Sequence, residues 1–210
     1  MAFTAYISTK DGDSLTVRNR ANGEAVGSLV NGTEVNVISE PVFAGSRAWV
    51  QIGANRWVAN EFITVIRGAR VVANRTSENI NGLRVYTARL IDATGRVIKT
   101  VRGVSGRANK QTPSHVQASQ APLPFGVYKF DFPGIVEFKD GEFGGVWSSM
   151  TPTFKTGRTE LGVHYDPSAL KQNSDSGTAG CFATPTTQER NIMTNFIRSH
   201  QPVYFVVYEA

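Results

Sequence analysis

The chain has 210 residues, of which 40% are hydrophobic and 10% aromatic, so it is long enough to bury a core in one large or two small domains. The formal net charge is +5, but the basic residues are dispersed singly along the sequence, which argues against nucleic-acid binding. No apolar run approaches the roughly 18 residues of a membrane helix, and residues 1–10 lack the basic and apolar regions of an export signal. We therefore expect a globular protein without a membrane span.

Residues 3–65 contain a series of short runs in which apolar and polar residues alternate, as they do in β-strands. The runs are Leu15 to Arg18, Ala25 to Val30, Glu34 to Ile38, Ala48 to Ile52, Arg56 to Val58 and Phe62 to Thr64. The pairs Asn22-Gly23 and Asn31-Gly32 favour tight turns because Asn and Gly accept a positive φ. The pattern predicts a small β-barrel.

The same region resembles a bacterial SH3-like domain. The resemblance is carried by the motifs Leu-x-Val-Arg, Gly-x-Leu-x-x-Gly-x-x-Val-x-Val, Trp-Val-x-Ile and Trp-Val-Ala, at Leu15 to Arg18, Gly27 to Val37, Trp49 to Ile52 and Trp57 to Ala59. It implies binding of cell-wall peptide, with Trp49 and Trp57 lining the groove. The alternative is that both tryptophans pack in the core and at its rim.

The run from Ile66 to Ile80 is largely polar and predicts a connection between two domains, which we place at residues 1–67 and 68–210. Leu83 to Ile91 and Val97 to Val101 then alternate on either side of a turn, which predicts an antiparallel hairpin. Gly106 to Pro124 is polar and predicts a surface loop.

The remainder of the chain predicts further strands and one helix. The predicted strands are Phe125 to Phe132, Ile135 to Lys139, Val146 to Met150 and Val203 to Tyr208. Asp140-Gly141 indicates a tight hairpin turn. A helix is expected after Pro185, because Thr186 and Glu189 have the spacing of a capping box. Its apolar residues share one face and predict core packing: Ile192, Met193, Phe196 and Ile197.

Cys181 is the single cysteine and lies in the run Gly177-Thr178-Ala179-Gly180-Cys181. A Gly-x-x-Gly-Cys turn can direct successive backbone N–H groups at one point, and a thiol there is suited to acyl transfer. His164, at the end of Leu161 to His164, is the candidate base, and the polar run Tyr165 to Ser176 predicts a long loop between them. The pattern alone leaves open a packed cysteine and a structural histidine.

These residues also resemble the signature of the L,D-transpeptidase (YkuD-type) catalytic domain, in which a histidine precedes a Ser/Thr-His-Gly-Cys motif. His164, a loop, and Thr178-x-Gly180-Cys181 follow that order. Val104-Ser105-Gly106, Thr112-Pro113 and Pro124-Phe125-Gly126-Val127-Tyr128 are similar to the family's Ser-Gly, Thr-Pro and Pro-x-Gly-x-Tyr elements. The expected fold is therefore mainly β, with a small SH3-like barrel followed by an L,D-transpeptidase-like β-sandwich that has one amphipathic helix near the C-terminus.

The resemblance implies a cysteine acyltransferase with Cys181 as nucleophile, His164 as base and an oxyanion turn formed by Thr178, Ala179 and Gly180. The residues expected to contact the substrate in this domain are Tyr128, Arg158 and Lys171. The implied substrate is a peptidoglycan tetrapeptide stem, which is crosslinked when an amine accepts the acyl group and trimmed of D-alanine when water does. The implied location is the cell envelope, the periplasm or the exterior.

Two further functions stay open. One is an exported toxin-like or lytic effector with the same chemistry, which the missing export signal favours. The other is a non-catalytic wall-binding protein, because Ala179 stands where the family has histidine and Ala183 where it commonly has arginine or asparagine.

Metal and cofactor sites are not expected from this sequence. The three histidines, His115, His164 and His200, and the one cysteine have no ligand spacing, and no Gly-rich phosphate loop is present. His115 is expected to be solvated in its loop rather than to act as a second base. The oligomeric state is open.

Overall fold

The computed structural model describes residues 2–171 and 176–210. These residues form sixteen β-strands, two short 3-10 helices and one α-helix, so the fold is mainly β as predicted. The strands fall into two groups. The first eight form two small sheets, and the last eight form one closed barrel.

The N-terminal group consists of β1 (Phe3–Ile7), β2 (Leu15–Arg18), β3 (Ala25–Leu29), β4 (Glu34–Val37), β5 (Val42–Ala44), β6 (Arg47–Gly53), β7 (Arg56–Ala59) and β8 (Ile63–Thr64). One sheet has the order β4-β1-β8 and the other β3-β2-β7-β6-β5. Their apolar faces share one core, which includes Ile7, Val17, Val37, Val50 and Val58.

Strands β1 and β5 were absent from the predicted set. β1 lacks a simple alternation because Ala5, Tyr6 and Ile7 are all buried in succession. Ala5 and Ile7 face the N-terminal core, whereas Tyr6 packs in a cluster shared with the barrel. A strand that contacts two cores has no polar face for a sequence pattern to detect.

The barrel consists of β9 (Arg70–Ile80), β10 (Leu83–Ile91), β11 (Val97–Arg107), β12 (Gly126–Phe130), β13 (Trp147–Pro152), β14 (Leu161–Tyr165), β15 (Gly177–Thr184) and β16 (Tyr204–Glu209). Its order is β10-β11-β15-β14-β13-β12-β16-β9, and β9 pairs again with β10. The pairs β14–β15 and β16–β9 are parallel, and the other barrel pairs are antiparallel.

Strand β9 explains why this region is a closed barrel rather than the predicted sandwich. The run from Ile66 to Ile80 was expected to be a connection, and that expectation is wrong for most of its length. Val71 and Ala73 face the barrel core, and Val72 faces the cluster shared with the N-terminal sheets. Because β9 pairs with both β10 and β16, the sheet has no free edge at this point.

The segment between β12 and β13 also differs from the prediction. The expected strand from Ile135 to Lys139 is reduced to a single bridge between Glu137 and Trp147. The expected hairpin turn at Asp140-Gly141 is a 3-10 helix, Gly141–Phe143, capped by the Asp140 carboxylate, which accepts from the Gly141 N–H at 2.8 Å. This helix brings the Glu142 and Phe143 side chains beside β14.

The predicted helix is confirmed as α1 (Thr187–His200). Thr186 Oγ1 accepts from the Glu189 backbone N–H at 3.2 Å and donates to the Glu189 carboxylate at 2.6 Å. Met193, Phe196 and Ile197 pack into the barrel core. The Glu189 carboxylate also binds Arg102 on β11 at 2.8 Å, so the first turn of the helix is joined to the barrel.

Candidate active site

The parallel pair β14 and β15 brings His164 and Cys181 to the same side of the barrel wall. Val163 is opposite Phe182 and His164 is opposite Ala183, so Cys181 lies two residues before the partner of His164. Side chains alternate along a strand, and Val163 and Phe182 face the core. His164 and Cys181 therefore face outward, where both line a cavity of about 490 Å³.

The Cys181 thiol is buried at the base of this cavity. Its Sγ lies 3.7 Å from the Glu160 carbonyl oxygen, to which the S–H donates. Burial raises the pKa of the thiol to about 11, although the Gly162 backbone and the Arg158 charge oppose that shift. The resting sulfur is therefore protonated and needs a base to become nucleophilic.

The His164 ring lines the same cavity as the thiol and has one nitrogen that can accept a proton. Its Nδ1 lies 2.9 Å from the Tyr165 carbonyl oxygen, and a carbonyl only accepts, so Nδ1 carries the proton and Nε2 has the free lone pair. Burial lowers the pKa of His164, against the opposing effects of the Tyr165 carbonyl and of Asp166 and Glu142. A neutral imidazole is the form that accepts a proton.

Two aromatic rings hold the imidazole in place. The Phe143 ring meets it edge-on at 5.3 Å between centroids, and Trp147, its partner on β13, lies at 6.2 Å. Lys139 Nζ lies 4.7 Å from the Trp147 ring centroid and extends over the cavity. Lys139 and Phe143 were not predicted as site residues. Lys139 was expected at the end of a strand, and the 3-10 helix that contains Phe143 was expected to be a hairpin turn.

Thr178 fixes the turn before the cysteine. Its Oγ1 accepts from the backbone N–H groups of Gly106 and Gly180, each at 3.0 Å, and donates to the Cys181 carbonyl at 2.8 Å. The predicted oxyanion role of the Gly180 N–H is not supported, because that donor is already bound to Thr178. Ala179, by contrast, is exposed and lines the cavity.

Two predicted substrate contacts are buried inside the protein. Tyr128 is fully buried in the barrel, and its hydroxyl donates to the Pro124 carbonyl at 2.6 Å. Arg158 is only 5% exposed, and its guanidinium donates to protein oxygens, among them the Ala179 carbonyl at 3.3 Å. Neither residue is free to bind a substrate carboxylate directly, so these two expectations are corrected.

The other predicted contacts lie in separate places. Lys171 is exposed at the end of the described loop segment, and residues 172–175 of that predicted loop lie outside the described part. Trp49 lines a groove of about 360 Å³ in the N-terminal region, where Arg18 lies 5.5 Å from its ring centroid. Trp57 is half-buried on β7, outside the set of residues that lines that groove.

Within residues 2–171 and 176–210, no three His, Cys, Asp or Glu side chains are grouped closely enough to hold a metal ion. None of the helices in that part is long and apolar enough to cross a membrane. Searches against family models, curated proteins and solved structures found no match to this chain. The geometry of the site and the sequence motifs are therefore the features that bear on function.

Proposed function

We propose that this protein is a peptidoglycan L,D-transpeptidase that works through a thioester on Cys181. The observation that carries the proposal is the shared cavity of Cys181 and His164, on adjacent parallel strands, with the imidazole held in the basic tautomer by the Tyr165 carbonyl. A thiol and an oriented neutral imidazole are the two groups that cysteine acyl transfer requires.

The reaction follows from these two groups. His164 Nε2 accepts the thiol proton while Sγ attacks the carbonyl carbon of the third stem residue and forms a tetrahedral intermediate. When the C–N bond to the terminal D-alanine breaks, the imidazolium returns its proton to the leaving amine. The acyl group is then a thioester on Cys181. A neutral acceptor amine attacks that thioester and loses a proton to His164 Nε2 as the C–N bond forms. The C–S bond then breaks, and the imidazolium gives the proton to the leaving sulfur, which restores the thiol.

The charges around the cavity favour an amine acceptor over water. Three acidic residues and one lysine line it: Asp131, Glu142, which is also paired with Arg107 at 4.0 Å, Glu160 and Lys139. A surface with this excess of negative charge attracts a cationic acceptor group and raises its local concentration. We therefore propose crosslinking as the main outcome and D-alanine removal as the outcome without an acceptor.

The N-terminal sheets complete the proposal. The motifs that resemble a bacterial SH3-like domain place Trp49 on a groove bordered by Arg18, Arg47 and Phe62. The Trp49 indole itself is only 5% exposed and its Nε1 donates to the Ala44 carbonyl at 3.0 Å, so the stacking and hydrogen bonds open to a peptide come from Phe62 and the two guanidinium groups. We propose that this groove binds cell-wall peptide and that the protein acts in the cell envelope.

One observation favours a second candidate function, a wall-binding protein without catalysis. The Cys181 proton is directed to the Glu160 carbonyl, and burial makes the thiol a weak acid. If the protein only binds the cell wall, the cavity holds the stem peptide without cleaving it.

Product analysis separates the two candidates. Purified disaccharide tetrapeptide is incubated with the wild type, Cys181→Ala and His164→Gln, and the products are identified by mass spectrometry. We expect tripeptide and crosslinked dimer with the wild type, none with Cys181→Ala and at least a hundredfold slower release with His164→Gln, since general base catalysis contributes about 10²- to 10⁴-fold. Binding to isolated cell walls without any product from the wild type would support the second candidate instead.

A further inference from the structure

Arg158 occupies an unusual position directly behind the nucleophile. It lies just before β14, is 5% exposed, and its Nη2 donates to the Ala179 carbonyl. Gly180 has a φ of +120°, and a Cβ at this position would overlap the guanidinium. The Arg158 guanidinium therefore occupies the space that a side chain at Gly180 would need, one residue before Cys181.

The guanidinium is held entirely by neutral oxygens. Its Nη1 lies within hydrogen-bond distance of four acceptors on one segment, at 3.1 to 3.4 Å: the carbonyls of Ser114, Ala121 and Pro122 and the hydroxyl of Ser119. In the part of the chain that the structure describes, Arg158 forms no ion pair with a carboxylate. The hydrogen bonds fix its position and leave its charge uncompensated.

A buried cation without a counter-ion is costly, because its hydration is lost and no opposite charge replaces it. Burial lowers the pKa of Arg158 accordingly, and its charge interacts with just two nearby acids, Tyr128 and Cys181. Burial raises the pKa of Tyr128 well above its ordinary value, so that phenol remains neutral. Of these two acids, the Cys181 sulfur is the one that can supply the missing negative charge.

We infer that Arg158 is a positioning residue for Cys181, which holds the Ala179–Gly180 turn in place and stabilises the Cys181 thiolate with its buried charge. This inference deepens the proposed function and depends on it for its catalytic meaning, since a thiolate forms there only when the thiol is used. The remaining charged or titratable groups that face the sulfur do so from the cavity: Asp131, Lys139, Glu142, Glu160 and His164.

The test measures thiolate formation without any peptidoglycan. Cys181 is the single cysteine, so the rate of alkylation by iodoacetamide, followed by intact-protein mass, reports this sulfur alone. The variants are Arg158→Lys, which keeps the charge, and Arg158→Gln, which removes it but retains a hydrogen-bond donor. Arg56→Met removes one charge from an exposed site in the N-terminal region and serves as the control.

We expect Arg158→Gln to be alkylated about tenfold more slowly than the wild type at pH 9, the change that one pKa unit produces. Arg158→Lys should stay within about threefold and Arg56→Met should be unchanged, with circular dichroism confirming the fold of each. Arg158→Met gives a second neutral variant should the glutamine variant fail to fold. Unfolding exposes the thiol and accelerates alkylation, so it cannot imitate the expected slowing.

Equal alkylation rates for the folded lysine and glutamine variants over pH 7–10 would overturn the inference. This outcome is independent of the proposed function, because a protein that never releases D-alanine still has a measurable thiol pKa. If D-alanine is released, the same two variants should differ in that rate as they do in alkylation.

Discussion

At the scale of single residues, the candidate site is a neutral pair at rest. Burial raises the pKa of the Cys181 thiol to about 11 and lowers the pKa of His164, so neither group carries charge near pH 7. A preformed thiolate–imidazolium pair would require the opposite shifts. Under the proposed function, the proton therefore moves from sulfur to nitrogen as the sulfur attacks, and the orientation of His164 by Tyr165 is required for that transfer.

The raised thiol pKa also predicts how stability depends on pH. At a pH well below 9.0, the ordinary value, the thiol is protonated in both the folded and the unfolded state. Between pH 9 and about 11 the unfolded thiol ionises and the folded one does not, so unfolding releases a proton and the folded state loses stability. The difference of about two pKa units between the folded and the unfolded thiol lowers the free energy of unfolding by up to about 3 kcal/mol.

Cys181→Ala removes this contribution. We expect the difference in unfolding free energy between wild type and variant to change by about 2 kcal/mol in favour of the variant from pH 7.5 to 10.5. Urea unfolding at several pH values measures it, and the difference cancels the titration of tyrosines and lysines common to both proteins. Parallel stability curves for the two proteins would contradict the buried, protonated thiol.

Sequence reasoning could find Cys181 and His164 because each lies in a local motif. It assigned Arg158 to the substrate instead of to the protein interior, because an isolated arginine in a sequence carries no sign of burial. It also missed Glu160, whose backbone has a φ of +55° and whose carbonyl accepts from the thiol. The Gly180 N–H was misassigned for a similar reason, since the competing acceptor is the side chain of Thr178.

At the scale of elements, the first turn of α1 is the clearest case in which sequence determines structure. The Thr186 hydroxyl oxygen accepts a hydrogen bond from the Glu189 N–H. The Glu189 carboxylate accepts a hydrogen bond from the Thr186 hydroxyl and forms an ion pair with Arg102. Because α1 packs Met193, Phe196 and Ile197 into the barrel core, the cap contributes to the stability of the whole barrel.

We expect Thr186→Ala to lower the free energy of unfolding by about 1 kcal/mol, since one N–H and one hydroxyl bond are lost at the helix start. Thr186→Ser keeps the accepting oxygen and should lose less than half as much. Urea unfolding followed by circular dichroism measures both. Equal losses for the two variants would assign the effect to the threonine methyl group rather than to the cap.

The pairing of β14 with β15 builds the site, and the closure of the barrel by β9 supports it, yet neither was evident from sequence. Individual strands are predicted by local alternation, but their partners are chosen by contacts distant in the chain. The last strand, β16, pairs with β9, more than 120 residues earlier. Fold class and most strand positions could therefore be predicted, and the closed topology could not.

At the scale of the molecule, the N-terminal sheets are docked on the outer wall of the barrel. Tyr6 packs against Val72 and Val206, and Glu34 on β4 pairs with Arg89 on β10 at 2.8 Å. The predicted boundary after residue 67 falls in the short link between β8 and β9. The two regions thus meet through an apolar cluster with an ion pair beside it.

The docked N-terminal region forms a groove near the cavity that Cys181 and His164 line. A groove of about 640 Å³ lies between the N-terminal region and the barrel, and Lys129 on β12 lines it. Lys129 is opposite Thr151 on β13, and Thr151 lines the cavity of Cys181. Both openings therefore lie on the same face of the barrel. Under the proposed function, a wall strand that extends into this groove would lie on the same face of the barrel as the cysteine.

The most direct test of the central claim is to look for the thioester itself. Wild-type protein is mixed with disaccharide tetrapeptide, quenched in acid after a few seconds and weighed intact by mass spectrometry. The account predicts a mass increase equal to the donor minus D-alanine, located on Cys181 by peptide mapping and absent from Cys181→Ala. Folded wild-type protein that binds the donor but shows neither an adduct nor released D-alanine would contradict cysteine catalysis at this site.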